Sequence, residues 1–491
     1  MKVLFINHYF DQDIKELVNF KRDEHEFHWI SPQYFANPVY HYLPPEVFDG
    51  LSAYFKKEYE EKRIKVEKII TKLLYKLYET YDFDIVISPS DTFFYVRPLI
   101  NACHKIGVPF FVAQKETTIS PGTMEVHSKD VGKFCPFISD YMTVCSENHK
   151  EFWLRAGTAK DLIKVTGQPR FDLYYRVTKN DLHGLKDMSP KIQNKKVILF
   201  FTYELNAYLE SANDYGDWKG LREQTEDILS KAAKTGEYLI LIKPHPQHNL
   251  EDISYFSARV LAQAGNKGVD FVKILDRGMD ARELIIQADI IVAFQTTVLL
   301  EALAIGKRVI YTYWGDSLKR SKSFVLPFHD FPEILDIAYS PDELMELLIK
   351  ENKGIKINEK VIDERMKLVN KYLGPFDGMA SMRTWASIDE IFSKYSTLTI
   401  EQKLHRKKIL KLKKYHVFKG ILACSINIFI DNLLIILFTV VGLEKYVKKI
   451  EMYKYLRKRR KKELQEVRKK EIISSFQIIG PIKVFFNKKV W

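Results

Sequence analysis

The sequence is poor in cysteine, with four in 491 residues. Cys103, Cys135, Cys145 and Cys424 are too few for a disulfide framework and lack the close spacing of a zinc site, so a reducing cytoplasm fits best. No cleavable leader is expected. Met1 to Ile6 is a short apolar run that meets Asn7-His8, and it reads as a first buried strand. No fixed short period recurs, which argues against a repeat protein. Positive charge is scarce over most of the chain despite a net charge of +13. Residues 401–491 hold 24 Lys/Arg against 7 Asp/Glu, which leaves 52 and 56 of the totals of 76 and 63 for residues 1–400. The body is therefore mildly acidic, which excludes a nucleic-acid-binding body with basic faces of its own.

What is present is a long, ordinary globular composition, 46% apolar and 28% charged, enough for two or three domains. Short apolar runs recur at Val3–Asn7, Glu26–Ile30, Asp84–Pro89, Pro109–Gln114 and Tyr141–Cys145. Helical patterns lie between them, near Leu51–Tyr81, Arg97–Ile106 and Ser146–Ala156. After a polar stretch at 179–196 the alternation restarts. Strands are expected at Val197–Tyr203, Tyr238–Lys243, Val269–Leu275, Asp289–Phe294 and Arg308–Thr312. Alternating strands and helices predict a parallel sheet covered on both faces. The expected fold class is α/β, two doubly wound Rossmann-like lobes. The expected boundaries are 1–178, a linker at 179–196, 197–372, a terminal helix at 373–398 and a basic tail at 399–491. Ligands of such sheets sit beyond the C-terminal strand ends, so chemistry is sought just after each strand.

Two second-lobe segments meet that criterion. One strand runs into Lys243-Pro244-His245-Pro246-Gln247, where two prolines hold an imidazole at the sheet edge. Such a ring can donate to a phosphate oxygen, and Lys243 adds charge. The other runs into Gln295-Thr296-Thr297, opening a helix that carries Glu301 one turn further on. Two hydroxyls and free N–H groups at a helix start suit an anion, and the carboxylate suits ribose hydroxyls.

Together with Val165-Thr166-Gly167-Gln168-Pro169-Arg170-Phe171-Asp172 and Asp377-Gly378-Met379-Ala380-Ser381-Met382-Arg383, these segments form an ordered set over roughly residues 80–385. The set resembles the GT-B glycosyltransferases and glycerophosphotransferases of bacterial surface polysaccharide synthesis. CDP-glycerol glycerophosphotransferases of teichoic-acid synthesis and capsule transferases of the Kdo/sialic-acid type are the nearest in pattern. The resemblance implies a nucleotide-activated, cytidine-based donor held by Lys243, His245, Gln247, Thr296, Thr297, Glu301 and Arg170. It also implies a terminal helix that crosses back to the first lobe.

The sequence departs from that pattern in one place. The teichoic-acid enzymes activate the acceptor with a His-Gly pair after a first-lobe strand, whereas here Pro109–Gln114 leads to Lys115-Glu116-Thr117-Thr118. The base that an inverting transfer needs is therefore sought in Glu116 or Asp91, both just beyond first-lobe strands. Asp11-Gln12-Asp13 and Asp82-Phe83-Asp84 lack further ligands, and no metal or other cofactor is expected, because Lys, Arg and helix N-termini can neutralise a leaving phosphate.

In the tail, Ile421–Leu443 is a long apolar run, with Asn427, Asp431 and Asn432 in its middle and basic flanks on both sides. A mid-span carboxylate costs roughly 2.5–3.5 kcal/mol, and a true span would place one basic flank outside. An in-plane insertion on an anionic membrane avoids both costs. The sequence thus predicts a bacterial transferase, peripheral on the cytoplasmic face of the membrane, taking a nucleotide sugar or CDP-polyol donor and a glycan or lipid-linked acceptor. A non-hydrolysing nucleotide-sugar 2-epimerase and a non-catalytic membrane-bound scaffold are the alternatives.

Overall fold

The computed structural model describes residues 1–395 apart from 49–50, 116, 183–194, 204–214, 247, 316–324 and 350–353, and adds 399, 402, 403, 406 and 409. Glu116, Gln247, most of the 179–196 linker and the run Ile421–Leu443 with Asp431 lie outside the described residues. Contacts divide the chain into two units, Met1–Leu398 and Thr399–Trp491. The first unit contains both sheets.

The first lobe runs β1 (Lys2–Ile6), α1 (Asp11–Phe20), β2 (Glu26–Ile30), α2 (Gln33–Tyr42), α3 (Leu51–Tyr54), α4 (Glu60–Tyr81), β3 (Ile85–Ser88), α5 (Val96–Lys105), β4 (Phe110–Ala113), α6 (Pro121–Phe134), β5 (Tyr141–Val144), α7 (Glu147–Arg155) and β6 (Ile163–Val165). The second runs β7 (Lys196–Phe201), α8 (Tyr215–Ala233), β8 (Tyr238–Lys243), α9 (Leu250–Gly268), β9 (Val272–Ile274), α10 (Ala281–Gln287), β10 (Ile290–Ala293), α11 (Thr297–Ala304), β11 (Arg308–Thr312), β12 (Asp336–Ala338), α12 (Pro341–Ile349), α13 (Glu359–Tyr372) and α14 (Ala380–Lys394). The single helix expected over Leu51–Tyr81 is broken. Lys56 is extended (φ −55°, ψ 141°), and the Arg63 guanidinium takes up the freed carbonyls of Tyr54 at 2.6 Å and Lys56 at 2.8 Å.

Every strand pairing is parallel. Every residue of β3, β4, β5 and β10 is buried, as strands covered by helices on both faces must be. The strand orders are β2-β1-β3-β4-β5-β6 and β12-β11-β10-β7-β8-β9. Each order reverses direction once, between β1 and β3 in the first sheet and between β7 and β10 in the second. At a reversal the flanking connections leave to opposite faces and open a crevice beyond the strand ends, which is where ligands bind in such sheets. The two crevices are bordered by Asn7-His8 and Pro89-Ser90 in one lobe, and by Thr202-Tyr203 and Phe294–Thr297 in the other.

After β12, α12 and α13, the chain returns to the first lobe. Gly374 sits at φ 83°, and an added Cβ would lie 1.5 Å from the Cys145 carbonyl oxygen, so only glycine permits that approach. Asp172 caps the start of α14, accepting from the N–H groups of Ala380 (3.0 Å) and Ser381 (2.8 Å). Trp385, buried on the same helix, donates to the Leu17 carbonyl of α1 at 2.9 Å.

Candidate functional site

The second lobe's crevice is shaped by a strained residue. Gln295 follows β10 with φ 34°, the left-handed region, which costs a non-glycine residue of order 1–2 kcal/mol. Its buried amide offsets that strain: Nε2 donates to Tyr311 Oη (2.7 Å) and the Leu326 carbonyl (3.1 Å), and Oε1 accepts from Leu326 N–H (2.6 Å). The turn lets Thr296 cap α11, its Oγ1 accepting from Val298 N–H at 3.4 Å. Thr296 and Thr297 are the partly exposed pair in an otherwise buried run from Ile291 to Leu300. Two hydroxyls and the first-turn N–H groups of α11 thus stand at the reversal point, a setting suited to an anion.

On the far side of β7 from β10, β8 delivers Lys243 and His245. Lys243 is 3% exposed, and its ammonium donates to the carbonyls of Pro244 (3.0 Å) and Arg277 (2.7 Å). Burial pulls it down to about 8, against the pull of Asp276 and Asp280. It therefore braces the loop while keeping positive charge beneath it. The His245 N–H donates to His248 Nδ1 at 2.8 Å, and His248 Nε2 lies 3.1 Å from Asp252 Oδ2. The half-buried His245 ring is pulled down to about 4, first by burial and then by His248, Lys243 and Lys115. Its imidazole is neutral near pH 7 and so acts as a hydrogen-bonding group. Lys115, a first-lobe residue, adds the smallest of these contributions.

Glu301 is 1% exposed, and protein groups already engage both of its oxygens. Oε1 accepts from Arg170 Nη2 at 2.9 Å, with Thr297 Oγ1 at 3.5 Å, and Oε2 accepts from Tyr174 Oη at 2.7 Å. Arg170 and Tyr174 belong to the 3-10 segment Pro169–Tyr175, which continues the first lobe. Around them runs a polar junction between α1 and the second lobe. Asp13 accepts from Gln168 (2.7 Å) and from Arg170 N–H (3.1 Å), Gln12 donates to Asp280 (3.0 Å), and Glu16 pairs with Arg176 and with Arg282 (3.4 Å). Gln12 and Asp13 of the Asp11-Gln12-Asp13 string are thus built into this junction, while the exposed Asp11 accepts from Asn7 Nδ2 at 2.5 Å. In the other string, Asp84 accepts from Lys2 N–H at 2.8 Å and Asp82 is the left-handed cap of α4. Among the described residues no three His, Cys, Asp or Glu side chains gather as a metal site.

Of the two carboxylates sought as a base, Glu116 lies outside the described residues. Asp91 does not line an open cleft. It is 0% exposed, and Oδ2 accepts from Ile138 N–H (3.1 Å) while Oδ1 has no partner. Burial pushes its carboxyl up to about 6 against those hydrogen bonds and Arg97. Sequence reasoning passed over His8, Lys115 and Gln295. His8 and Lys115 stand two residues past the ends of β1 and β4, as His245 stands past β8, but neither stood in a motif.

A family profile described as CDP-Glycerol:Poly(glycerophosphate) glycerophosphotransferase matches residues 126–389, more than half of the chain. The chain belongs to this family. Among curated proteins no sequence matches it. Among solved structures, a putative UDP-N-acetylglucosamine 2-epimerase from Listeria monocytogenes is similar at 13% identity and a TM-score of 0.50, covering 80% of this chain and 97% of that one. An S. aureus MnaA structure with UDP is similar at 14% identity and a TM-score of 0.49, over 80% and 97%. The likeness to the Listeria monocytogenes structure is one of fold, two Rossmann-like lobes of GT-B type.

Proposed function

We propose that the chain transfers a polyol phosphate or a sugar from a nucleotide-activated donor, cytidine-based in the first instance, to a glycan or lipid-linked acceptor of the bacterial cell surface. The observation that carries this reading is the position of the second lobe's reversal point. It lies inside the matched family region and holds the partly exposed Thr296-Thr297 pair, with His245 beyond the end of β8 in the same sheet. In this reading the donor phosphates lie over the α11 N-terminus. Thr296, Thr297 and His245 donate to them, and Lys243 supports the loop from beneath. Gln247, two residues after His245 in the sequence and outside the described residues, is assigned to the donor as well. Arg170 and Glu301 hold α11 against the first lobe, so a donor hydroxyl reaches Glu301 only by displacing a protein donor. The acceptor hydroxyl loses its proton to a first-lobe group beyond a strand end; Asp91, fully buried, is closed to it. The basic tail and its run Ile421–Leu443, outside the described residues, are assigned to the inner face of the membrane.

A second reading, nucleotide-sugar 2-epimerase, draws on the likeness of fold to the Listeria monocytogenes structure. Incubation with CDP-polyols and with CMP-, CDP- and UDP-sugars separates the readings. Release of CMP, CDP or UDP that requires an added acceptor supports transfer. Isomerised donor without acceptor supports the epimerase, and neither product from any donor sinks both.

A further inference from the structure

The first lobe's reversal point holds an imidazole in an ordered setting. His8 stands two residues past the end of β1, and its N–H closes a tight turn onto the Ile6 carbonyl at 3.2 Å. Its ring stacks on Phe93 (centroids 4.4 Å apart, planes 12° apart), and Phe93 lies 5.7 Å from Tyr95. Nδ1 sits 2.6 Å from Tyr95 Oη, whereas Nε2 has no hydrogen-bond partner among the described residues, on a ring that is partly exposed. The next residue, Tyr9, is 65% exposed at φ 52°, and the Lys115 ammonium lies 5.7 Å from its ring centre. Lys115 is itself tied to the first crevice through its N–H bond to the Pro89 carbonyl at 3.1 Å. Four residues beyond His8, Gln12 bonds Asp280 of the second lobe, so this end of β1 stands at the lobe junction.

We infer that His8 is the general base of the proposed transfer, taking the proton of a sugar or polyol hydroxyl on Nε2 while Tyr95 fixes the ring through Nδ1. This rests on the function proposed above. In the step, the hydroxyl proton passes to Nε2, and the freed oxygen pair forms the new bond to the donor's phosphorus or anomeric carbon. The bond to the leaving nucleotide breaks, and its electrons remain on the nucleotide's phosphate oxygen. The imidazolium then returns its proton to water. In the base-competent tautomer Nδ1–H donates to the Tyr95 oxygen, 2.6 Å away, which leaves the Nε2 lone pair for the acceptor. Burial and the Lys115 ammonium hold the His8 ring below its ordinary range and so keep that lone pair available at neutral pH. Lys115 is also placed to meet a phosphate on donor or acceptor. The residue stands after β1, whereas the His-Gly pair of the resembled teichoic-acid enzymes would follow the Pro109–Gln114 strand, so this assignment concerns a different position of the fold.

The test uses the full chain, the donor and acceptor pair found active, and the corresponding free nucleotide as binding probe. His8→Gln is expected to lower kcat by about 100-fold or more, the scale of a lost general base, while the calorimetric Kd for the nucleotide stays within about twofold. Tyr95→Phe, which leaves the imidazole in place, should lower kcat by about 5- to 30-fold with KM unchanged, the split expected of a positioning residue. His8→Gln turning over at the parent rate overturns the inference, as does a joint loss of turnover and nucleotide affinity, which would make His8 a donor ligand. If His8→Gln does not fold, parental kcat in Tyr95→Phe overturns it instead. A parent chain that transfers nothing from any donor defeats the functional reading itself, before any variant is compared.

Discussion

Glu301→Gln separates two roles for one carboxylate. The sequence suggested a ribose ligand, whereas the structure encloses Glu301 between Arg170, Tyr174 and Thr297. The Arg170 side chain is 14% exposed and that of Glu301 is 2% exposed, so this ion pair is little screened by water. Glutamine keeps the shape and one acceptor oxygen. It loses the charge opposite Arg170 and turns an NH2 group toward one of the present donors. Hydrogen bonds to charged groups contribute about 1.5–3 kcal/mol each, and breaking a buried pair from one side costs about 3–5 kcal/mol. A loss of about 3 kcal/mol in urea unfolding is therefore expected. Arg170→Met should couple with it in a double-mutant cycle by at least about 1 kcal/mol. Nucleotide affinity by calorimetry should move less than about threefold, which is under 1 kcal/mol. The reverse pattern, stability within about 0.5 kcal/mol of the parent and affinity down more than tenfold, would refute the argument and restore the ribose role.

His245→Ala and Thr296→Ala should each weaken nucleotide binding by about 1–3 kcal/mol without unfolding the chain, and unchanged affinity in both would remove the donor assignment. Asp91 gives a pH signature. Its folded-state carboxyl is raised from 3.8 to about 6, so its neutral form is the favoured one in the fold. The associated stability is fully present below pH 4 and is lost as pH rises through about 6, a difference of about 3 kcal/mol. Asp91→Asn should flatten that part of the stability profile in urea unfolding from pH 4 to 8. An unchanged slope would show that Asp91 is not its source. Full-length chain should sediment with anionic liposomes and bind neutral ones less, and a chain ending at residue 398 should lose the attachment but keep nucleotide binding. Equal sedimentation of the two chains would refute the role given to the tail.

The parallel strands were legible wherever an apolar run was long enough to stand out. β8, Tyr238–Lys243, was read to the residue, because six consecutive positions are buried and no turn chemistry interrupts them. β6 and β12 were not read. Each is three residues long, and Lys164 and Asp336 place a charge in the pattern. Such edge strands are held by pairing to a neighbour, which a one-dimensional reading does not contain. α1 was missed for a related reason. Its Asp11 and Asp13 looked like a loop string, yet Asp13 is 1% exposed because Gln168 and Arg170, more than 150 residues away in sequence, supply its hydrogen bonds. A buried acid explained only by a distant partner looks like a surface acid in the sequence.

The candidate site follows the same division. Thr296, Thr297 and His245 could be singled out as candidates from sequence because each lies within a few residues of the end of a strand that was itself legible. The engagement of Glu301 by protein donors could not be read there, since the i,i+4 spacing from Thr297 is compatible with a free carboxylate and with an engaged one. Only the 3-10 segment bearing Arg170 and Tyr174 distinguishes them. His8 shows the opposite failure. It met the positional criterion as fully as His245 did, two residues past the first strand of its lobe, but carried no flanking prolines and no familiar neighbours. The strand order makes it distinctive, since β1 borders the reversal in β2-β1-β3-β4-β5-β6 and so opens onto the first lobe's crevice. Reversal points depend on which strands pair, and pairing is a property of the folded sheet. The residues bearing on chemistry in this chain are therefore best sought by locating the two reversals first and then reading the few residues beyond β1, β3, β7 and β10.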